Sequence, residues 1–277
     1  MTAINNTTYE QVYNLQEDDT ISSRVSSVIC MVLQRGVLSA GFGIAKELLT
    51  IHYSGYNKNK PIWDLDFFEQ LFINEPLLAM RDKVKGVFVS SKKNIVVPDE
   101  LYAENEAKDW LKHLFFIEPK EVINIFPLEN DKAQYLYAVP VDIMELIKIN
   151  FKKTTLQPLP VHHFSSAKVS SLYLQCTISS EQVVATLHNY SQLLWHKIFD
   201  YTCAEDIAYE IKLFCKENYI DSAKLNIVCD GVSASEYDVI NELTQYFPAI
   251  KAGNGSTMEE QWDPAISLVN QLYECVL

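Results

Sequence analysis

The sequence predicts an α/β protein of two similar lobes, each a set of antiparallel strands followed by alternating helices and strands. Three observations lead there. Strand-like and helix-like segments follow one another in the order β-β-β-α-β-α twice along the 277 residues. Residues 28–56, laid without gaps on residues 173–201, keep the phase of their apolar positions, so that Leu38, Ala40 and Phe42 fall on Val183, Ala185 and Leu187. A stretch with two prolines, KKTTLQPLP (152–160), reads as a linker between the copies. Identity in that gapless alignment is confined to Ala40/Ala185, Leu48/Leu193, Leu49/Leu194 and Tyr56/Tyr201. That is close to chance, so the phase carries the argument, because a one-residue slip would turn a strand's buried face to solvent.

Taken in order, residues 1–20 are polar and acidic, an N-terminal arm or a short edge element. VSSVICMVL (25–33) is apolar on both faces, as a central strand is. After the turn Gln34-Arg35-Gly36, the residues Leu38, Ala40, Phe42 and Ile44 alternate with Ser39, Gly41 and Gly43, the period of a half-buried strand. LLTIHYSGY (48–56) is a third strand, and 57–61 form a breaker cluster. Leu65, Phe68 and Phe72 recur at helical spacing, and KGVFVSS (85–91) is another strand. Pro98-Asp99 opens a helix carrying Leu101, Ala107, Trp110, Leu111 and Leu114. The strands VINIFPL and YLYAVP and a helix over 142–151 close the first half.

In the second half YLQCTI, the turn Ser179-Ser180-Glu181, a strand with Val183, Ala185 and Leu187, and YSQLLWHKIFDY repeat the pattern. Thr202 with Glu205 is a capping-box signature ahead of a helix face of Ile207, Ala208, Ile211, Phe214 and Cys215. KLNIVCDG is a strand. Ser233 with Glu236 repeats the capping pattern before Tyr237, Ile240, Leu243 and Phe247. Asn254-Gly255-Ser256-Thr257 reads as a flexible turn, and Asp263-Pro264 starts a last helix bearing Ile266, Val269 and Leu272. The expected organisation is an arm over 1–20, a first lobe over 21–157 and a second over 158–277.

Composition narrows the function. A formal net charge of −13 with no basic stripe argues against nucleic acid; Lys58, Lys60, Lys92 and Lys93 read as solvated turns. No apolar run approaches the length of a membrane span, and the N-terminus lacks the basic and apolar regions of a signal peptide. The six cysteines, Cys30, Cys176, Cys203, Cys215, Cys229 and Cys275, form no CxxC and mostly sit among apolar neighbours. They read as buried thiols of a cytoplasmic protein. His162-His163, taken as strand neighbours, would point to opposite faces, one buried and one exposed, and so not share a metal. His188 and His196, eight apart across a turn, have no ligand set beside them. No metal site is expected.

Three antiparallel strands followed by strand–helix repeats form the ribonuclease-H-like layout, and two such units in tandem give an actin-like ATPase architecture with an interlobe cleft. The stretches VHHFSSAKVSSLYLQ, IFDYTCAEDIAYEIKLFCKENYID, KLNIVCDG, YFPAI and VVPDELYAENEAKDWL together resemble a family of uncharacterised Bacteroidetes proteins with an actin-like ATPase fold. A more distant similarity is to the cytoplasmic actin-like proteins of type IV pilus and type II secretion platforms. The resemblance implies the fold and no established activity.

An actin-like ATPase holds phosphates in two glycine-containing turns, each joining the first two strands of a lobe, usually with an Asp that manages metal and water. Glycine is needed there so that backbone N–H groups approach the phosphate. Here the turns are Gln34-Arg35-Gly36 and Ser179-Ser180-Glu181, neither with an Asp. The second lacks glycine and puts Glu181 where phosphate would sit. Arg35 could meet an anion, although a turn arginine is ordinarily solvated. The adenosine-side loop Asp230-Gly231-Val232-Ser233 keeps one glycine of the usual pair. The sequence has only 8 glycines, and no GxxxxGK[ST], GxGxxG or GxSxG. VSSVICMVL and YLQCTI carry no acid, which removes a two-metal nuclease. Arg35, Gly36, Ser179, Ser180, Asp230 and Gly231 are thus the candidates lining a degenerate cleft. The expected protein is a non-catalytic pseudo-ATPase that needs no cofactor and acts on a protein partner or a second copy of itself. Two alternatives remain open at this point. One is a weak ATP-binding or ATP-hydrolysing enzyme using Mg-ATP around Arg35, Gly36 and Gly231; the other is a small-ligand binder in the cleft.

Overall fold

The run SVICMVL has no polar side chain beyond its first residue, and it forms β2 (Ser27–Leu33), buried along its whole length. It sits at the centre of a six-stranded sheet. β3 (Gly36–Phe42) pairs antiparallel with it, β4 (Leu48–Tyr56) with β3, and β1 (Thr8–Asn14) with β4. On the other side β5 (Val84–Val89) runs parallel to β2, and β9 (Thr155–Pro158) parallel to β5. The computed structural model describes residues 8–15, 21–57, 59–165, 172–190, 192–253 and 260–277.

The second sheet repeats this topology. β10 (Leu172–Ile178), β11 (Gln182–Asn189) and β12 (Gln192–Asp200) are antiparallel neighbours. β13 (Asn226–Gly231) runs parallel to β10, and β14 (Lys251–Ala252) parallel to β13. The order β12-β11-β10-β13-β14 matches β4-β3-β2-β5-β9. A third sheet, β6 (Asn94–Pro98), β8 (Ala133–Pro140) and β7 (Glu121–Leu128), is inserted between β5 and β9 of the first lobe.

Helices cover the sheets by their apolar stripes. On one face of the first sheet, α2 (Leu65–Asn74) and α3 (Pro76–Ala79) bury Phe67, Phe68, Phe72, Leu77 and Leu78 against Val28, Cys30 and Val32. α5 (Val141–Asn150) joins this core through Ile143, Met144 and Ile147. A short α1 (Ile21–Arg24) precedes β2, and α4 (Ala107–Lys112) packs on the inserted sheet through Ala107 and Leu111. In the second lobe α7 (Ala204–Glu217) and α8 (Glu236–Leu243) lay Ile207, Ala208, Ile211, Ile240 and Leu243 over Leu174, Cys176, Ile227 and Cys229. The other face of the first sheet is covered by α9 (Asp263–Glu274), which follows the last strand of the second lobe. Its Ala265, Leu268, Val269 and Leu272 pack with Ile29, Met31, Leu38 and Ile51. Tyr273 stacks on Phe42 at 3.9 Å and shares a 2.7 Å hydrogen bond with Ser27. In return α6 (Val161–Ser165), which follows β9, packs into the second lobe. Each lobe thus lends a helix to the other.

Several elements differ from the sequence reading. The stretch 152–160 is not a free linker: four of its residues are β9. Of the two readings offered for the polar arm, the short edge element is the one the structure shows, as β1. β3 ends at Phe42, so Ile44 is 90% exposed in the following turn, while Ser39 is as buried as its neighbours because helices cover both faces of the sheet. Pro98 closes β6 instead of opening a helix; helical turns 99–101 and 104–106 lead to α4, leaving Leu101 and Leu114 exposed. Thr202 is capped by Asp206, not Glu205, through its N–H at 2.8 Å and its hydroxyl at 2.6 Å. Of the cysteines, Cys203 is exposed and Cys275 half-buried. The expected turn 254–257 lies outside the described residues. Among those residues no helix is long and apolar enough to cross a membrane.

Leu268 is fully buried in the contact between α9 and the first sheet. Leu268→Ala should lower unfolding stability by about 2–5 kcal/mol, read as a shift in the urea midpoint at unchanged slope.

Candidate functional site

The β2–β3 and β10–β11 turns face each other at one end of the junction between lobes. Each is tied down by a tyrosine from the end of its third strand. Tyr56 donates to the Gln34 carbonyl at 2.9 Å, and Tyr201 to the Ser179 carbonyl at 2.7 Å. These are equivalent residues in the gapless alignment of the two halves, donors and acceptors alike. The duplication therefore extends to individual hydrogen bonds.

The turns close on one another. The Arg35 guanidinium meets Glu181 at 3.0 Å (Nε to Oε2), with the two side chains only 16% and 24% exposed. It also donates to the Asn57 and Lys60 carbonyls and stands over the Tyr56 ring at 5.8 Å. Beside it Gln182 donates its amide to Gln34 Oε1 at 2.8 Å. The space left among Gln34, Arg35, Ser179, Ser180, Glu181 and Gln182 is about 10 Å³, room for one water at most. Arg35 is thus paired and largely buried, not a solvated turn arginine.

The two candidate glycines serve packing. A Cβ on Gly36 would lie 2.9 Å from the Ser54 carbonyl and 3.0 Å from the Tyr53 hydroxyl, so glycine is needed for the close approach of β4. A Cβ on Gly231 would lie 3.0 Å from Glu236 Cβ and 3.3 Å from Pro264 Cβ, where the starts of α8 and α9 converge. Gly231 pairs with Ile178, the residue before Ser179, so all six sequence candidates are gathered around one end of the cleft. Asp230 is fully buried and accepts from Gln175 at 3.2 Å and from Gln271 at 3.3 and 3.2 Å. Burial pushes its carboxyl up to about 6, against the lowering effect of its hydrogen bonds. Glu236, reaching back to the Ser233 N–H at 2.8 Å and hydroxyl at 2.6 Å, is raised by burial to about 7. The sequence reading missed Gln34, Gln182 and Glu236 as site residues. Glu236 had a signal in the capping pattern with Ser233; the glutamine pair had none, because it joins residues far apart in the chain.

The histidines correct the sequence reading. His162 and His163 lie on α6, not on a strand, and both are buried. His162 meets the Leu159 carbonyl at 2.8 Å and Thr177 Oγ1 at 3.1 Å. His163 meets Thr177 at 2.9 Å and Thr186 at 2.8 Å, and Thr186 meets His196 at 2.9 Å. The Tyr135 ring of the inserted sheet and Phe164 pack on His196 at 5.4 and 5.3 Å. This chain of rings and hydroxyls joins α6 to β10, β11 and β12. Burial holds His162 down at about 4 and His196 at about 3. His163 is also lowered, by burial first and then by the charges of His162, His196 and His188. Among the described residues no group of three or more His, Cys, Asp or Glu is placed to hold a metal ion.

Residues 43–250 match the model of the family described as "Protein of unknown function (DUF3822)". The chain belongs to this family. No curated protein matches it significantly. Among solved structures, it is similar to a protein of unknown function with an actin-like ATPase fold from Bacteroides thetaiotaomicron. That match has a TM-score of 0.70 at 13% identity, over 92% of this chain and 99% of that one. It is also similar to a chain of the "PilM-PilN type IV pilus biogenesis complex", with a TM-score of 0.58 at 12% identity over 92% and 99% of the two chains. The DUF3822 chain therefore has the actin-like ATPase fold that its duplicated β-β-β-α-β-α order predicts.

Two outcomes follow from this geometry. Arg35→Ala leaves Glu181 unpaired and should cost about 1–2 kcal/mol, seen as a fall of a few degrees in the thermal midpoint; Arg35→Lys, which cannot keep the same fork of contacts, should recover only part of it. The second concerns pH. Between about pH 4.5 and 6.5 the unfolded chain binds protons at His162, His163 and His196 that the folded chain refuses. In the same window the folded chain keeps protons on Asp230 and Glu236 that the unfolded chain releases. His188 is also lowered by burial and Asp131 raised, so four histidines stand against three acids and stability should fall as pH is lowered through the window. In the double variant Asp230→Asn, Glu236→Gln two of the opposing acids are gone, and urea unfolding at about pH 6.5 and 5.5 should show a steeper loss than in the unaltered chain.

Proposed function

We propose that the protein is a non-catalytic member of the actin-like fold, with its nucleotide cleft closed by its own side chains, and that it works through protein–protein contact. The observation that carries this reading is the lock between the turns: Arg35 on Glu181 at 3.0 Å and Gln34 on Gln182 at 2.8 Å, with about 10 Å³ between. A ligand the size of a nucleotide needs several hundred cubic ångströms. To enter here, a polyphosphate would have to break both contacts and lie beside the Glu181 carboxylate, which repels it. It would gain little in return, because backbone approach at Gly36 is already taken by Ser54 and Tyr53.

Partner binding is supported by the similarity to the PilM-PilN complex, in which a chain of this fold is assembled with another protein. The partner of this chain is a different protein or a second copy; a net charge of −13 favours one with a basic face. The six cysteines, none of them in a disulfide, support a reducing compartment, the cytoplasm.

The test is thermal unfolding with and without millimolar Mg-ATP, then Mg-ADP. A ligand at about 100 times its dissociation constant would add roughly 2.7 kcal/mol and raise the midpoint by several degrees. The expected shift is zero. A Mg-dependent rise with either nucleotide overturns the reading and returns catalysis to Gly36 and Gly231.

A further inference from the structure

We propose that a polar cavity between β1 and α2, away from the turn-to-turn lock, is a binding site for a small organic cation bearing an ammonium or guanidinium group. The cavity measures about 320 Å³, within the range of small-molecule sites. It exists because β1 extends the sheet beyond the edge that α2 covers. In the antiparallel register Glu10 stands opposite Ser54 and Val12 opposite His52, so these four side chains share the sheet face that looks toward α2. Gln70 and Asn74 of α2 line the opposite side, and Glu75 closes the end.

The polar groups in this cavity are biased toward accepting hydrogen bonds. Glu75 is only 8% exposed. One of its oxygens takes the Leu78 N–H at 2.6 Å at the start of α3, and the other faces His52 Nδ1 at 2.8 Å. In either protonation state this geometry has His52 Nδ1 donating to Glu75, which fixes the ring in the cavity wall. Glu10 adds a second carboxylate at the rim. Among the described residues that line the cavity there is no Lys or Arg to set against the two carboxylates. An occupant that matches these walls brings positive charge and several N–H donors, with a short apolar stem to lie on Phe67 and Leu71. An anion is rejected by the same walls. The site uses none of Arg35, Gly36, Ser179, Ser180, Asp230 or Gly231, so it stands whether or not the cleft takes a nucleotide.

The experiment is a titration of the full chain with agmatine and with 1,5-diaminopentane, followed by NMR of the labelled histidine imidazoles, with succinate as the anionic control. His52 lies in the cavity, whereas His162, His163, His188 and His196 lie between the lobes and His113 follows α4 on the inserted sheet, so the imidazole signals locate binding. The expected result is a saturable shift confined to His52 with one or both cations and none with succinate. Glu10→Gln, on an exposed strand position, should weaken that binding about tenfold, as loss of a charge-assisted contact does. Glu75→Gln should weaken it further; its thermal midpoint is recorded alongside, since Glu75 also caps α3. Absence of a saturable His52 shift up to about 10 mM of either cation overturns the proposal, that being weaker than any ordinary specific site. Binding that Glu10→Gln leaves unchanged overturns it as well.

Discussion

The first sheet of this protein does not bury both of its faces with helices from its own lobe, and α9, which completes it, also packs on β13 of the second lobe. The helix that completes the first sheet, α9, is the last element of the second lobe. The helix that plugs the second, α6, is the last element of the first. Leu268 and Leu272 therefore do for the first sheet what His162 and His163 do for the second. Because each lobe needs the other's helix, the lobes fold around a shared core, and Val184, Ile198 and Val232 of the second lobe belong to the same apolar cluster as Ile29 and Met31 of the first. Relative movement of the lobes must then be worked against that cluster, which packs like any protein interior and does not deform freely.

The crossed helices bring the two turns to the distance at which they meet, and what happens there is decided by side chains. The scaffold under the turns is symmetric: Tyr56 and Tyr201 make the same bond to equivalent carbonyls. The residues on top of it have diverged. One turn offers an arginine and a glutamine, the other a glutamate and a glutamine, and they satisfy each other. The side chains involved are about four-fifths buried, so the pairing is screened less than a surface ion pair would be.

Much of this fold was legible in the sequence because it rests on local pattern. The alternation over 25–56 and again over 173–201 located three strands in each lobe, and the aligned phase identified the duplication. What failed to show depended on distant partners. β9 is four residues with a proline, and only its parallel pairing with β5 makes it a strand. β6 and β1 are likewise edge strands, short or polar, that carry little apolar signal of their own. Ile44 continues the alternation by one residue, but the chain turns at Gly43 and leaves it in water. The six candidate site residues came from the turns that the actin-like resemblance singles out, and in the structure they lie around one end of the cleft. That Arg35 would be matched by Glu181 was beyond any local reading, since ion pairs between turns 146 residues apart have no periodicity to betray them.

The buried polar groups show why this architecture tolerates so much polarity at its centre. His162, His163 and His196 are uncharged at neutral pH; both ring nitrogens of His162 and His163 and Nδ1 of His196 are met by Thr177, Thr186 and a carbonyl. Asp230 and Glu236 sit close to their titration points because burial raises both. A neutral, hydrogen-bonded imidazole costs far less to bury than an imidazolium, and a carboxyl near its titration point can shed its charge instead of bearing the full desolvation penalty. The interior of the junction between the lobes is therefore assembled from groups that can be neutral, while the Arg35–Glu181 ion pair, like that of Lys92 with Asp200, is kept where water reaches it. Moving that pair inward, or charging the histidines, would set the desolvation cost of an ion against the contacts that hold the lobes together.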